Sequence, residues 1–311
     1  MSSIVLKALE LGATSPKLLE SCISMQYVKE YYTPYSTLKA TFVLNIPIGE
    51  IIDVELIVNG TAVHNGIVDT VEIKELSSFR AITVSSRSHT SMLGQNELVP
   101  GLISNVSLNT LMSNYIQIPN VFHENNAVVS NYIYVKEHAS LWEAVTNLCL
   151  KQNNTYPYIA NVNTIRYTLP ASPKTVVLSR NDRNIIACGN SFDYTNMISD
   201  FHMRDTEGTY NTFNKSDSEV SARGIVRHKH ISFDRQWLDD PIKGLGYRIN
   251  YGMRGFRSDF VSYLGYTGED LNDLVTFENL VNIRISKIEI SGSSKGLLTK
   301  LTCYRDRYNN M

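Results

Sequence analysis

Apolar and polar residues alternate with a period of two along the first third of the chain, which is typical of half-buried β-strands. The clearest example is the segment 37–44, in which every second residue is apolar: Leu38, Ala40, Phe42 and Leu44. Five closely spaced strands within residues 22–93 predict a small antiparallel barrel or sandwich.

Two Asn-Gly pairs, Asn59-Gly60 and Asn65-Gly66, punctuate the segment 56–93. Asn-Gly supplies the positive φ angles of a primed hairpin turn and is a strong local signal for a hairpin. The sequence therefore predicts three consecutive strands here, with the two pairs between them.

The period changes to that of a helix in the middle of the chain. One amphipathic helix is predicted to begin after Ser107, and Pro119 would end it. A second helix is predicted to begin at the capping box formed by Ser140 and Glu143. Its buried stripe comprises Leu141, Val145, Leu148 and Cys149, with Trp142 beside it. Residues 156–169 then predict a hairpin with a short polar loop.

The period of two returns at about residue 175. The predicted strands are 175–178, 190–194, 197–204, 246–254, 260–265, 281–290 and 297–304. Residues 205–222 are polar and predict a long exposed loop. One short helix is predicted through Leu271, Leu274 and Val275.

These elements predict a mainly β fold with a small α+β insertion. We expect two tandem antiparallel β-barrel domains of comparable size. The first would span residues 1–100 and the second residues 173–311, with the polar loop near 205–222. The helices and hairpin at 101–172 would form a small α+β domain between them.

The composition limits the kinds of molecule that the chain is expected to bind. The net charge is −1, so the chain has no long-range attraction for nucleic acid or anionic lipid. The 18 tyrosines favour strands and protein interfaces over catalytic clefts. Neither a signal peptide nor a membrane segment is predicted, so synthesis and folding in a cytoplasm are expected. Four scattered cysteines predict free thiols: Cys22, Cys149, Cys188 and Cys303.

The sequence predicts no enzyme, no cofactor and no metal. His228 and His230 would point the same way on a strand, but cations crowd them and no nearby acid completes a metal shell. A cell-envelope (peptidoglycan) hydrolase is the alternative, because paired carboxylates can serve as acid and base. Its candidates all lie in the predicted loop: Asp205, Glu207, Asp217 and Glu219.

Several segments in this order resemble one family. The segment 63–73 (VHNGIVDTVEI) resembles a hairpin of bacteriophage tail hub proteins, and 82–93 (ITVSSRSHTSML) resembles the strand that ends their first barrel. Residues 140–148 (SLWEAVTNL), followed by a hairpin, resemble their helix-then-hairpin module. The strand at 196–204 and the final hairpin at 285–304 are similar to parts of their second barrel.

The resemblance implies a structural baseplate hub of a contractile phage tail or phage-tail-like particle such as a bacteriocin. Such a hub is a homotrimer of tube-protein-like barrels that adapts the sixfold tail tube to the threefold central spike. Its implied partners are the spike, the tail tube protein, and the baseplate wedge and tape-measure proteins. It would reside at the tail tip of the particle. A distal-tail component of a non-contractile phage is a further alternative.

Assembly of such a ring requires strand edges that pair between copies. The segments 246–254 and 297–304 carry few charges and are the predicted edges. The predicted assembly-interface residues are Tyr247, Tyr251, Arg254 and Tyr304.

Overall fold

The computed structural model describes residues 3–181, 185–278, 280–293 and 295–305, and its main feature is one 11-stranded antiparallel sheet. The prediction of a mainly β fold is confirmed. The strands are β1 (Ile4–Glu10), β2 (Lys17–Leu19), β3 (Cys22–Glu30), β4 (Ser36–Val43), β5 (Ile51–Val58), β6 (Thr61–Glu75), β7 (Arg80–Ser88), β8 (Gly101–Val106), β9 (Phe122–His123), β10 (Ser130–Val135), β11 (Tyr158–Ala160), β12 (Thr164–Arg166), β13 (Thr175–Val177), β14 (Ile185–Phe192), β15 (Asp200–Met203), β16 (Phe213–Ser216), β17 (His228–Ile231), β18 (Arg257–Leu264), β19 (Leu274–Phe277), β20 (Leu280–Arg284), β21 (Lys287–Ser293) and β22 (Gly296–Tyr304). The helices are α1 (Met92–Gln95), α2 (Leu108–Tyr115), α3 (Leu141–Asn153), α4 (Ser218–Ser221) and α5 (Pro241–Gly252).

The large sheet runs in the order β14-β18-β22-β21-β3-β4-β7-β6-β5-β1-β2. The strands of the two predicted barrels thus lie edge to edge in a single sheet. The joint is the antiparallel pairing of β3 with β21, which runs from Glu30 opposite Lys287 to Met25 opposite Gly292.

One face of this sheet is apolar and the other is polar across both β-rich regions. Buried residues on the apolar face include Met25, Tyr27, Leu38, Ala40, Val84, Ile288, Ile290, Leu301 and Val261. The paired rows on the opposite face carry mainly hydroxyl, amide and charged groups, among them Gln26, Lys39, Thr41, Thr83, Lys287, Glu289 and Lys300. The alternation predicted for 37–44 is confirmed.

The middle of the chain has a core of its own, which gathers buried residues between Leu93 and Tyr167. Both predicted helices form, as α2 and α3. The Ser107 and Ser140 hydroxyls cap them by accepting from the Thr110 and Glu143 amides, each at 3.1 Å. The buried stripe of α3 packs in the same cluster as Ile159 and Ile165 of the predicted hairpin, as expected. The division at residues 100 and 172 remains a prediction.

The two Asn-Gly pairs have different roles. Asn59 and Gly60 adopt φ of 50° and 81° and form the turn between β5 and β6, as predicted. The prediction of a break at Asn65-Gly66 is wrong, because both residues lie inside β6. A Cβ at Gly66 would stand 2.1 Å from the Arg87 carbonyl oxygen of β7, so glycine serves close strand packing here. The second turn lies at 76–79, where the Leu76 amide donates to the Phe79 carbonyl.

Both predicted sheet edges in the last region are wrong. Residues 246–254 lie mostly in α5 rather than in a strand. Its Asp240 cap accepts from the Lys243 amide at 3.0 Å, and Pro241 occupies the first turn. Residues 297–304 do form a strand, but β22 is paired on both sides, with β18 and β21.

Three further predictions for the last region need correction. The short helix through Leu271, Leu274 and Val275 is absent; Leu274 and Val275 belong to β19. The strand predicted at 281–290 is two strands, β20 and β21, which belong to different sheets. The segment 205–222 contains β16 and α4, and with β15 and β17 it builds a small three-stranded sheet.

Candidate assembly surfaces

Three of the four predicted interface residues, Tyr251, Arg254 and Tyr304, lie at a tyrosine cluster where the first region, the middle module and the last region meet. Ring centroids lie 5.1 Å apart for Tyr32 and Tyr156, 5.3 Å for Tyr156 and Tyr251, and 6.3 Å for Tyr32 and Tyr304. Tyr32 follows β3, Tyr156 follows α3, and Tyr304 ends β22. The cluster therefore links elements that are distant in sequence.

Contacts within the chain explain why these side chains are aromatic or basic. The buried Tyr247 hydroxyl donates to the Leu150 carbonyl at 3.0 Å, and burial raises its pKa to about 12. The Arg254 guanidinium lies 3.8 Å from the centre of the Tyr251 ring. The Tyr304 hydroxyl donates to the Glu30 carboxylate at 2.7 Å. All four residues thus hold the chain together, and a role in contacts between copies remains a prediction.

A cleft of about 550 Å³ lies between α3 and α5. Its aromatic lining consists of Trp142, Tyr156, Phe201, Trp237, Tyr247 and Tyr251. Two charged residues of the lining are already paired, because Glu143 contacts Lys136 at 2.7 Å and Arg248 contacts Asp234 at 2.6 Å. The buried Trp142 Nε1 has no hydrogen-bond acceptor in the described part of the chain.

The carboxylates of the hydrolase alternative lie outside this cleft. Asp205 accepts hydrogen bonds from Thr209 and Thr212 in its own turn, and these bonds lower its pKa to about 2. A carboxylate held ionised in this way is unsuited to act as a general acid. Asp217 caps α4 by accepting from the Val220 amide at 3.1 Å. Both carboxylates therefore have local structural roles.

The structure places a third imidazole, that of His202, beside His228 and His230, and the sequence spacing did not indicate it. His228 and His230 lie on β17, and the ring of His202 on β15 stacks on His230 at 4.9 Å between centroids. The structure also supplies an acid, since His228 Nδ1 lies 3.4 Å from Asp200. Across the described ranges, however, no group of three or more His, Cys, Asp or Glu side chains is arranged to hold a metal.

Two long edges of the large sheet are exposed and have no strand partner among the described residues. One is the outer edge of β14, for which β18 is the single strand partner in those ranges, and Ile186 and Phe192 on this strand are 58% and 47% exposed. The other is the second half of β6. Pairing with β5 stops at Ile67, and residues 70–75 pair only with β7.

Two bacterial tail proteins of solved structure share this architecture along almost their whole length. The 43 kDa tail protein of prophage MuSo2 from Shewanella oneidensis covers 97% of this chain and 98% of its own, with a TM-score of 0.71 and 18% identity. The tail protein from Neisseria meningitidis MC58 covers 98% and 96%, with a TM-score of 0.69 and 16% identity. The chain has the fold of phage tail proteins.

A secretion-system protein has a more distant version of this tail-protein fold. The E. coli c3393 protein is a component of the type VI secretion system and is described as structurally similar to the T4 tail proteins gp27 and gp5. The alignment covers 98% of this chain and 78% of that one, with a TM-score of 0.53 and 10% identity. No protein-family model and no curated protein sequence matches the chain. Within the described ranges, no helix has both the length and the apolar character needed to cross a membrane.

Proposed function

We propose that the chain is the structural hub of a phage tail tip or of a related injection particle. Three copies would form a ring that connects the tail tube to the central spike and contacts wedge and tape-measure proteins. The observation that carries this proposal is the single sheet that joins the first and last regions through β3 and β21. Such a sheet makes each copy a curved wall with one apolar face and one polar face.

The polar face suits the lining of a channel. Its charges occur with both signs, and Glu289 forms ion pairs with Lys287 at 3.2 Å and with Lys300 at 3.7 Å. A lining of hydroxyl groups and self-paired charges exposes little apolar surface to which passing cargo could adhere. The apolar face is covered by the rest of the chain and supplies the core.

This role requires no catalytic group. Two of the candidate carboxylates, Asp205 and Asp217, accept hydrogen bonds from local backbone and hydroxyl donors. The aromatic cleft between α3 and α5 is lined, among the residues that the structure describes, by a single carboxylate, that of Glu143. A hydrolytic site with an acid and a base would need two. We therefore infer a structural component that is made in the cytoplasm and then built into the particle.

The test is the assembly state of the protein alone and co-expressed with the products of the adjacent genes. Mass photometry should find a species of three times 35.1 kDa in at least one combination, and negative-stain images should show a ring with a central hole. A strict monomer in every combination would refute the hub. Clearing of peptidoglycan that is lost on Glu143→Gln would favour the hydrolase instead.

A further inference from the structure

We propose that neighbouring copies in the ring join through one defined strand pair. Strand β14 of one copy would add, antiparallel, to residues 70–75 of β6 in the next. This inference rests on the proposed function, because it names the copy-to-copy contact of that ring. The strand that pairs with each edge therefore belongs to a second copy of the same chain.

Strand β14 has the properties of an edge that is covered in the assembled state. Every residue from 186 to 192 is exposed, so this part of the strand is accessible to a partner. The strand spans eight residues and contains no charged side chain. Long edge strands that remain in solvent are normally protected by charges, prolines or shortness. The absence of all three devices in β14 indicates that another strand pairs with it.

The second half of β6 is a complementary edge. Strand β6 spans 15 residues, and β5 spans eight and leaves it at Ile67. Beyond that point Val71 and Ile73 are 38% and 41% exposed. They lie opposite Val84 and Ile82 of β7, which are completely buried. These two apolar side chains therefore lie on the core face of the sheet. They remain partly exposed on the side of β6 where β5 has ended.

Strand direction fits a contact between copies. From β14 to β6 the sheet contains eight strands, and every adjacent pair among them is antiparallel. Because eight is even, β14 and β6 run in opposite directions. Placing β14 of one copy beside β6 of the next thus continues the antiparallel alternation, whatever the number of copies in the ring.

The two edges also match in the sheet face that their apolar side chains occupy and in their charges. Cys188 of β14 lies opposite the buried Val261, so it shares the core face with Val71 and Ile73 of the next copy. The charges of the β6 edge are paired within the chain: Glu72 contacts Lys74 at 3.1 Å, and Glu75 contacts Arg80 at 2.8 Å. An uncharged strand can pair there without leaving a charge unpartnered.

The chain already uses this kind of junction internally. Strands β3 and β21 are the border strands of the first and last regions, and they pair antiparallel over six residue pairs. The proposed contact would repeat that junction between copies, so that each region has one internal and one external neighbour in the ring. Pairing of main-chain groups is then continuous around the channel.

Disulfide formation tests the pairing directly, because cross-strand neighbours on one face are close and residues on opposite faces are not. The natural Cys188 is exposed and serves as one partner, whereas the other three cysteines are buried. Single substitutions Val71→Cys, Ile73→Cys and Glu75→Cys place the second thiol on the core face, one for each neighbouring register. Thr70→Cys, Glu72→Cys and Lys74→Cys are matched controls on the polar face of the same strand.

We expect mild oxidation of assembled rings to give covalent dimers and trimers on non-reducing gels for at least one of the three core-face variants. The polar-face controls should give no more crosslinked product than the unoxidised protein. The same holds for the core-face variant that also carries Cys188→Ser. Rings of normal mass without a crosslink at 71, 73 or 75 would overturn the pairing and leave the hub standing. Equal crosslinking on both faces would also overturn it, and a monomer throughout would overturn both proposals.

A charge placed on the edge gives an independent readout. Ile73→Lys should lower the fraction of assembled rings at least tenfold, since the ammonium would be buried against the incoming strand. Ile242→Lys is the control, because Ile242 is 38% exposed and lies on α5, away from both edges. Both variants should keep the circular dichroism of the folded monomer. Equal assembly of the two variants would contradict the proposal.

Discussion

The first and last β-rich regions contribute to one sheet, yet they are built in different ways. In the first region, four of the six strand pairings join consecutive strands, such as β3 with β4, β5 with β6, and β6 with β7, and the other two join β1 to β5 and β4 to β7. In the last region, β14 pairs with β18 across an intervening three-stranded sheet and α5. The comparison shows that one architecture can be specified mainly by local hairpins or mainly by long-range pairing.

The two regions also differ in how their cores are divided. Both contribute to the largest apolar cluster, the first region with 20 and the last region with 16 of its 39 buried residues. The inserted part of the last region depends on two small clusters instead. One joins Leu245 and Ile249 of α5 to Phe201 and Met203 of β15, and the other surrounds Val220 of α4. Small clusters give a low local free energy of opening.

The largest effect should come from matched truncations in the two regions. Leu56→Ala and Leu245→Ala each remove the same atoms from a residue with no exposed surface. Leu56→Ala should lower the free energy of global unfolding by about 2–5 kcal/mol. Leu245→Ala should instead act mainly on local opening, because α5 and β15 can separate from the large sheet.

Urea unfolding and amide hydrogen exchange together distinguish these outcomes. The Leu245→Ala variant should lose protection in 200–203 and 241–252 while the strands of the first region keep theirs. Uniform loss of protection along the chain would mean that the inserted part unfolds together with the sheet. The difference between the two regions would then lie in topology alone.

The same contrast explains which elements could be predicted from the sequence. Strands β4, β5 and β7 and the turn at Asn59 follow from alternation and local turn residues. Helix α5 was misassigned because Tyr247, Ile249 and Tyr251 fit a period of two, while Tyr247 and Tyr251 also fit a helix. The decisive local signal was the Asp240 cap followed by Pro241.

The candidate contact surface was much less predictable. Whether a strand is an edge depends on which strands pair on either side, and that is decided by long-range contacts. Strand β22 has as few charges as an edge but lies between β18 and β21. Conversely, the open half of β6 exists because β5 is shorter than β6, which alternation alone does not reveal. Tyr247, Tyr251, Arg254 and Tyr304 were chosen from two strand edges that the structure does not contain, so their role in contacts between copies remains a prediction.

Lowering the pH should destabilise the first region more than the last, because the histidines of the two regions differ in burial. His64 in the first region is fully buried, with Nδ1 2.8 Å from the Ser36 hydroxyl and Nε2 2.9 Å from the Ser86 hydroxyl. Burial, with a smaller effect from His89, lowers the pKa of His64 to about 3. In the last region His228 and His230 are exposed rather than buried in a core.

The sign of the effect follows from proton uptake on unfolding. Between about pH 6.5 and pH 3 the unfolded chain protonates His64 and the folded chain does not, so stability falls as the pH is lowered through this range. The loss should be about 1.4 kcal/mol per pH unit in that window. Urea unfolding of the wild type and His64→Gln from pH 8 to pH 4 measures it, since the variant should lack this component. Parallel curves for the two proteins would show that His64 is protonated in the fold.

The smallest expected effect tests whether residues 246–254 are helical, which is the main structural difference between the predicted and observed last region. Gly246 is well suited because a Cβ there would have no heavy atom within 4 Å, so packing does not bias the result. In a helix, alanine should stabilise relative to glycine by about 0.5–1 kcal/mol, and valine should stabilise less than alanine. In a strand, valine should be the most stable of the three. The order of the urea midpoints for wild type, Gly246→Ala and Gly246→Val, with amide protection of 241–252 as a second readout, therefore decides between the two conformations.

Gly244→Ala is the matched control within the same helix. Its Cβ would lie 2.5 Å from Trp237 Cγ, so this variant should lose stability although alanine is the better helix former. A stabilising Gly244→Ala would show that α5 does not pack on Trp237, and a midpoint for Gly246→Val above that for Gly246→Ala would restore the strand.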